Sequence, residues 1–469
     1  MGKTAPHSYD PRTFHALTFH DAVAAFRNGS DTPRAYLERS IETIAAREPV
    51  VKAFVHLNEA GARTAADAST ARWKAGKPLS AIDGMPIAIK DLLETKDMPT
   101  ELGCEAYRGN FPKRDNAAVW ALRQAGAVVF GKTVTAELGG THPGPTTNPW
   151  DPARTPGGSS SGSAAVIAAR MVPAALGTQV GGSVIRPAAF CGTLALKPTQ
   201  GGINRGERQT TSMSTTGVHA GSIEDLLQVA IEIASRAGGD PGRPGLFGPP
   251  SAPAAAKPER LIVLETEGWP DVDSATKSAF ETLLESLRRT GVTLLRRKDH
   301  AWIEALELAI AKGRHLSNSI TGWENRWYQR NLVDLQPEGV SERAKATLAR
   351  AEKMSVDDYR AVVMDRAAAH QRHAAIAPLA DAVITLSCPG PAPLWPGDKP
   401  GQPLAPRPTG DSVFNTPSSI LFAPALTMPL LSVGGLPVGV QFMGQQNEDA
   451  RITAFARWML GAVPPVIAP

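Results

Sequence analysis

Residues 156–169 read Pro156-Gly-Gly-Ser-Ser-Ser-Gly-Ser-Ala-Ala-Val-Ile-Ala-Ala169, and shortly afterwards the chain reads Leu176-Gly-Thr-Gln-Val-Gly-Gly-Ser-Val-Ile-Arg-Pro-Ala188. The first stretch has the composition of a flexible linker, but linkers do not run directly into an apolar helix such as Ala164 to Ala169. In the second, adjacent Gly181 and Gly182 permit a backbone turn closed to other residues. Consecutive N–H groups in such a turn make a nest for an anion. From Thr141 to Gly221 the chain is rich in Gly, Ser, Thr and Pro, with only a few charges. Because Ala164–Ala169 and Leu194–Leu196 lie inside it, it reads as a buried, backbone-rich core.

On the N-terminal side, Asp83-Gly-Met-Pro-Ile-Ala-Ile-Lys-Asp91 is a short apolar strand ending in Lys90. A lysine after an apolar run points into protein rather than water. Asp21–Phe26 and Pro33–Arg47 have helical spacing, with Thr32 as N-cap before Pro33. The segment 11–75 therefore reads as helical. Asn116–Gln124 reads as a helix and Ala127–Phe130 as a strand. On the C-terminal side, 238–258 is a Pro/Gly-rich linker candidate. Strand Leu261–Leu264, helix Asp273–Arg289 and strand Val292–Leu295 then form a β-α-β unit of a parallel, helix-covered sheet. Helices continue to Arg372, and Ala382–Leu386 and Pro437–Met443 are late strands. The alternation predicts one large α/β domain over 1–469, with a mixed, mostly parallel twisted sheet and helices on both faces.

Two motif matches fail on context. Gly126-Ala-Val-Val-Phe-Gly-Lys-Thr133 fits GxxxxGK[ST], but its four variable positions are the strand itself, and a strand cannot wrap a phosphate. Gly158-Ser-Ser-Ser-Gly162 fits the GxSxG elbow of α/β-hydrolases, with Ser160 as nucleophile. That elbow needs a strand immediately before it. Asn148 to Pro156 contains three prolines and cannot be a central strand. An esterase using Ser160 stays as the alternative.

Composition limits the partners. The 469 residues carry a net charge of +4, too small an excess for a nucleic-acid partner. Cys104, Cys191 and Cys388 are odd in number and far apart, which argues against disulfides and a structural zinc site. Met1 to Leu17 shows no apolar signal core. Ser412 to Asn447 is free of charge, but Pro417, Pro424, Pro429 and Pro437 interrupt it, so it reads as buried strands and loops rather than a membrane span. A cytoplasmic protein is expected.

Taken together, the Gly-x-Pro-x-x-x-Lys-Asp, Gly-Gly-Ser-Ser-x-Gly and Gly-Gly-Ser-x-x-Arg-Pro segments resemble the amidase signature family of serine hydrolases. They occur in the family's order, with Ser159 and Ser183 spaced 24 positions apart as it requires. Gly131-Lys-Thr133, Asn148-Pro-Trp-Asp-Pro152, Phe190 to Thr199 and Leu436 to Gly444 agree, so the resemblance spans about residues 15–460. It implies Ser183 as nucleophile, Ser159 as bridging serine after a cis peptide at Gly158–Ser159, and Lys90 as base. It places the oxyanion hole at the N–H groups of Val180, Gly181, Gly182 and Ser183. No metal or organic cofactor is implied.

Many members read Gly-Thr-Asp-Thr-Gly-Gly-Ser-Ile-Arg-x-Pro, whereas Gln179 replaces the Asp here and Arg186 sits three places after the nucleophile. This variant looks like the malonamidase-like branch. There the matching arginine engages a substrate carboxylate; Arg186 does so here or pairs with an internal carboxylate. The resemblance implies hydrolysis of amides, with carbamates (as in urethanases) and esters open to the same serine. The expected partner is a small-molecule amide or carbamate, with no nucleic acid, no membrane and a homodimer allowed. An amidotransferase-type subunit is a further alternative. Gln179 and the lack of a basic tract speak against it. Trp323, Trp327, Tyr328 and Trp395 are candidates for an aromatic entrance.

Overall fold

Ile87, Ala88 and Ile89 are fully buried because the strand Pro86–Lys90 runs between two parallel neighbours, Val128–Thr133 and Ala174–Gln179. A strand covered on both faces needs no polar alternation, which is why it reads as a continuous apolar run. Alternate residues still serve opposite faces. Ile87 and Ile89 join the largest core, while Ala88 joins a second one with Ala165, Val166 and Ile167. Lys90, two positions beyond Ala88, projects to the face covered by the helix Ser161–Ala168.

The computed structural model describes residues 8–207, 211–399 and 401–469. The N-terminal reading through residue 7 lies outside the described residues. Across one twelve-stranded sheet the order is Phe54–Leu57, Val128–Thr133, Pro86–Lys90, Ala174–Gln179, Thr215–Ala220, Leu194–Lys197, Ala425–Val433, Leu436–Met443, Ala382–Leu386, Arg260–Val263 and Thr293–Leu295. Val466–Ala468 pairs in parallel with Ala425–Val433 off this path.

The sheet is mixed, as expected. It is less parallel than the sequence pattern suggests: among the described residues six strand pairings are antiparallel and five parallel. The antiparallel centre comes from the Gly- and Thr-rich stretch, which supplies Ala174–Gln179, Leu194–Lys197 and Thr215–Ala220. At the far edge the β-α-β unit is parallel as read.

Local chemistry sets the helix starts. Thr32 accepts from Ala35 N at 3.1 Å, Asn116 from Ala118 N at 3.0 Å and Asp273 from Thr276 N at 2.8 Å. The segment 11–75 is not wholly helical. Phe54–Leu57 is an edge strand antiparallel to Val128–Thr133, four residues too short to announce itself between two helices. Residues 238–259 contain neither helix nor strand, yet Leu246 and Ala252 pack on the largest core. The charge-free stretch from Ser412 forms the helix Thr416–Ile420 and two buried strands. Among the described residues no helix is long and apolar enough to cross a membrane.

Candidate active site

Three of the quoted segments meet at one end of the strand Pro86–Lys90. The Lys90 side chain is fully buried, and its Nζ lies 2.8 Å from Ser159 Oγ, 3.0 Å from Ser160 Oγ and 2.9 Å from Thr178 Oγ1. No carboxylate pairs with it among the described residues. Burial pushes its pKa well below the ordinary lysine value. The contrast with Lys132 is direct. That lysine is equally buried and burial lowers its pKa too, but Asp91 Oδ1 at 2.9 Å works against the shift. The fold thus keeps one lysine paired and leaves Lys90 among hydroxyls, the setting that yields a neutral amine.

Ser159 follows a cis peptide at Gly158–Ser159. Its carbonyl accepts from Ala136 N at 3.0 Å. Ser160 is fully buried and donates to Thr178 O at 3.2 Å. No strand immediately precedes it, so the α/β-hydrolase elbow is absent. Ser183 is joined to this turn through its carbonyl, which accepts from Ser160 N at 3.3 Å. The hydroxyls of Ser159 and Ser183 are not hydrogen-bonded to each other among the described residues. The structure therefore brings Lys90 and Ser159 into direct contact, and ties Ser183 to them through the backbone.

Ser183 sits in the turn between the strand Ala174–Gln179 and the helix Ile185–Cys191. Gln179 shapes this turn: its Oε1 accepts from Val184 N at 2.9 Å and Ile185 N at 3.0 Å, and its Nε2 donates to Ser419 Oγ. Ser419 in turn donates to Gly181 O at 3.1 Å. The N–H groups of Val180, Gly181, Gly182 and Ser183 reach no protein acceptor among the described residues. Gly182 is buried and the other three residues are half-buried, so the four adjacent amides face an open side where an anion can meet them. Neither Gly181 nor Gly182 has a positive φ, so the expected special turn is not the reason for glycine. At Gly182 the reason is space, since a Cβ would lie 2.6 Å from Asn415 Oδ1.

Arg186 is buried. Its Nη2 donates to Gly158 O at 2.7 Å and to Thr409 Oγ1 at 3.2 Å. It makes no ion pair with a carboxylate among the described residues, although Asp411 is near enough to favour its charge. Burial lowers its pKa to about 10, so it stays protonated. Of the four aromatic candidates, Trp395 lies by the site, beside a small cleft bounded by Ala136, Gly157, Ser161 and Thr409. Trp327 is 73% exposed, Trp323 stacks on Tyr359, and Tyr328 bonds to Tyr107.

Sequence reasoning missed Thr178, Ser160 as a lysine ligand, and His219. Thr178 lay inside a quoted segment but offered no motif of its own. His219 is fully buried on the strand Thr215–Ala220, with neither ring nitrogen hydrogen-bonded among the described residues. Its only sequence signal was a lone histidine in a Thr- and Gly-rich run.

Residues 35–453 match the family model for amidases. The chain belongs to the amidase family. It is 34% identical to a glutamyl-tRNA(Gln) amidotransferase subunit of Chloroflexus aurantiacus over 93% of this chain and 95% of that one. Its fold is similar to the crystal structure of an amidase, with a TM-score of 0.82 and 27% identity over 95% of this chain and 100% of that chain. It is also similar in fold to a bacterial aryl acylamidase of the amidase signature family, with a TM-score of 0.81 and 18% identity over 96% and 97% of the two chains. The protein is accordingly an enzyme of the C–N-cleaving amidase class.

Proposed function

We propose that the chain hydrolyses a small amide through a Ser183–Ser159–Lys90 relay. One observation carries this reading. Among the described residues, a buried lysine without a carboxylate partner bonds Ser159 beside four amides that have no protein acceptor. A serine hydroxyl needs a base to take its proton, and a lysine serves only when neutral. Lys90 takes the proton of Ser159, and Ser159 takes that of Ser183. This requires the Ser183 side chain to turn toward Ser159, in keeping with catalytic bonds that tighten only once substrate is bound. Ser183 Oγ then attacks the carbonyl carbon, and the oxyanion lies against the N–H groups of residues 180–183. The proton returns through Ser159 to the leaving nitrogen, the C–N bond breaks, and water releases the acyl group by the same route. Esters and carbamates present the same carbonyl to the same serine and extend the proposal.

Arg186, bonded to Gly158 O, acts in this reading as a positioning residue rather than a receptor for a substrate carboxylate. A second reading, as one component of an amidotransferase, is favoured by the 34% relative. The deciding experiment is labelling with a fluorophosphonate, followed by assay of the isolated chain on simple amides. Labelling at Ser183 with turnover by the chain alone supports the hydrolase. Turnover only in the presence of partner proteins supports the second reading. Labelling at another serine overturns the relay.

A further inference from the structure

The space on the open side of the nest is bounded by hydroxyls that the relay does not use. A Cβ built on Gly181 would lie 3.6 Å from Ser317 Oγ, 3.8 Å from Ser412 Oγ and 3.9 Å from Thr416 Cγ2. Ser317 is buried at 3% exposure on the helix Gly313–Leu335, and its hydroxyl has no hydrogen-bond partner among the described residues. The same holds for the hydroxyl of Ser412, which is half-buried. Thr416 behaves differently. Its Oγ1 turns away to Val413 O at 3.4 Å, and its methyl faces the nest.

The two serines come from separate elements held in register by charge. Arg314, one helical turn before Ser317, donates to Asp411 Oδ2 at 3.0 Å and to Glu267 Oε1 at 3.1 Å, and Asp411 immediately precedes Ser412. Gly181 itself is fixed by the bond from Ser419 to its carbonyl. Neither hydroxyl is sealed from solvent, so a substrate that displaces water from this face has to replace the bonds that water makes there. Two such hydroxyls, beside the residue central to the nest, are placed to meet a polar atom of the substrate.

We propose that Ser317 and Ser412 are specificity-determining residues that receive a hydrogen-bonding atom carried by the acyl part of the substrate near its carbonyl. The enzyme then selects acyl groups with a polar substituent next to the scissile bond over hydrocarbon ones of the same size. This rests on the hydrolase reading above, in which the residues 180–183 hold the oxyanion.

The test compares lactamide with propionamide, which differ by one hydroxyl beside the carbonyl, on the full chain and on Ser317→Ala, Ser412→Ala and the double variant. Wild type should prefer lactamide by about ten-fold or more in kcat/KM, the scale of one or two hydrogen bonds. The variants should bring the ratio toward one through loss on lactamide. A ratio near one in wild type, or a preference that survives both substitutions, overturns the inference. If neither amide turns over while Ser183 is still labelled by a fluorophosphonate, the inference falls and the hydrolase reading stands. If Ser183 is not labelled, both fall.

Discussion

Arg186 Nη2 lies 2.7 Å from the carbonyl oxygen of Gly158, so the helix that follows Ser183 grips the turn that carries Ser159. Thr409 completes the grip from a third segment. Both bonds come from the one nitrogen Nη2, so Arg186→Met removes the grip whole and should lower both thermal stability and kcat. Each hydrogen bond from a charged group is worth about 1.5–3 kcal/mol. The loss in kcat/KM should be equal for substrates with and without a carboxylate. A selective rise in KM for the carboxylate-bearing substrate would instead place Arg186 in substrate binding.

The two rival serines separate cleanly. Ser183→Ala removes the proposed nucleophile and only one oxygen of volume, so turnover should vanish while the unfolding midpoint is retained. Ser160→Ala should reduce kcat by about 10–100-fold, the worth of one hydrogen bond to a charged or strongly polarised amine, because Ser160 Oγ accepts from Lys90. Residual activity of more than a few per cent in Ser183→Ala would refute its assignment.

The acid limb of the pH profile should belong to Lys90. Its folded pKa is depressed by burial, so the neutral base appears as pH rises through a value well below the ordinary ~10.4. His219 cannot supply this limb, since burial and the nearby Lys90 hold it at about 3. The same shift acts on stability. The unfolded chain binds the Lys90 proton more tightly than the folded one, so the wild type gains stability as pH climbs from the depressed value toward 10.4. Lys90→Met should therefore be inactive yet unfold at higher urea than wild type at pH 6, with the gap closing near pH 10. Equal midpoints at both pH values would mean that Lys90 is not held neutral.

How much of this was legible varied with the source of the signal. Lys90 could be placed from the sequence because a buried parallel strand writes itself as an uninterrupted apolar run, here Ile87-Ala-Ile89, that ends at the lysine. The turn at Gly181 and Gly182 was legible through its glycines, but for a reason the structure revises. Gly182 yields space to Asn415, and no positive φ is needed. The strand Thr215–Ala220 was not legible. Thr-Thr-Gly-Val-His-Ala has neither alternation nor an apolar run, and its place between Ala174–Gln179 and Leu194–Lys197 is fixed by pairing with both. Thr178 and His219 reach the site through that pairing, and contacts between distant strands leave no mark on local sequence.

Gly177 offers the sharpest test of that hidden layer. A Cβ there would stand 2.7 Å from His219 Nε2 and 2.9 Å from Ser160 Oγ, closer than real Cβ contacts come. In Gly177→Ala one neighbour must move. Overpacking of this kind costs about 1–3 kcal/mol, and displacement of Ser160 disturbs a hydroxyl that Lys90 bonds. Stability and kcat should fall together, with KM little changed. His219→Ala alone leaves a void and destabilises by its own mechanism. In the double variant the new methyl occupies part of that void, and Ser160 returns toward its place. The two changes should therefore be strongly non-additive, with the double variant more stable and more active than the single losses combined would allow. Additive effects in a double-mutant cycle would show that His219 and Ser160 do not share the space above Gly177.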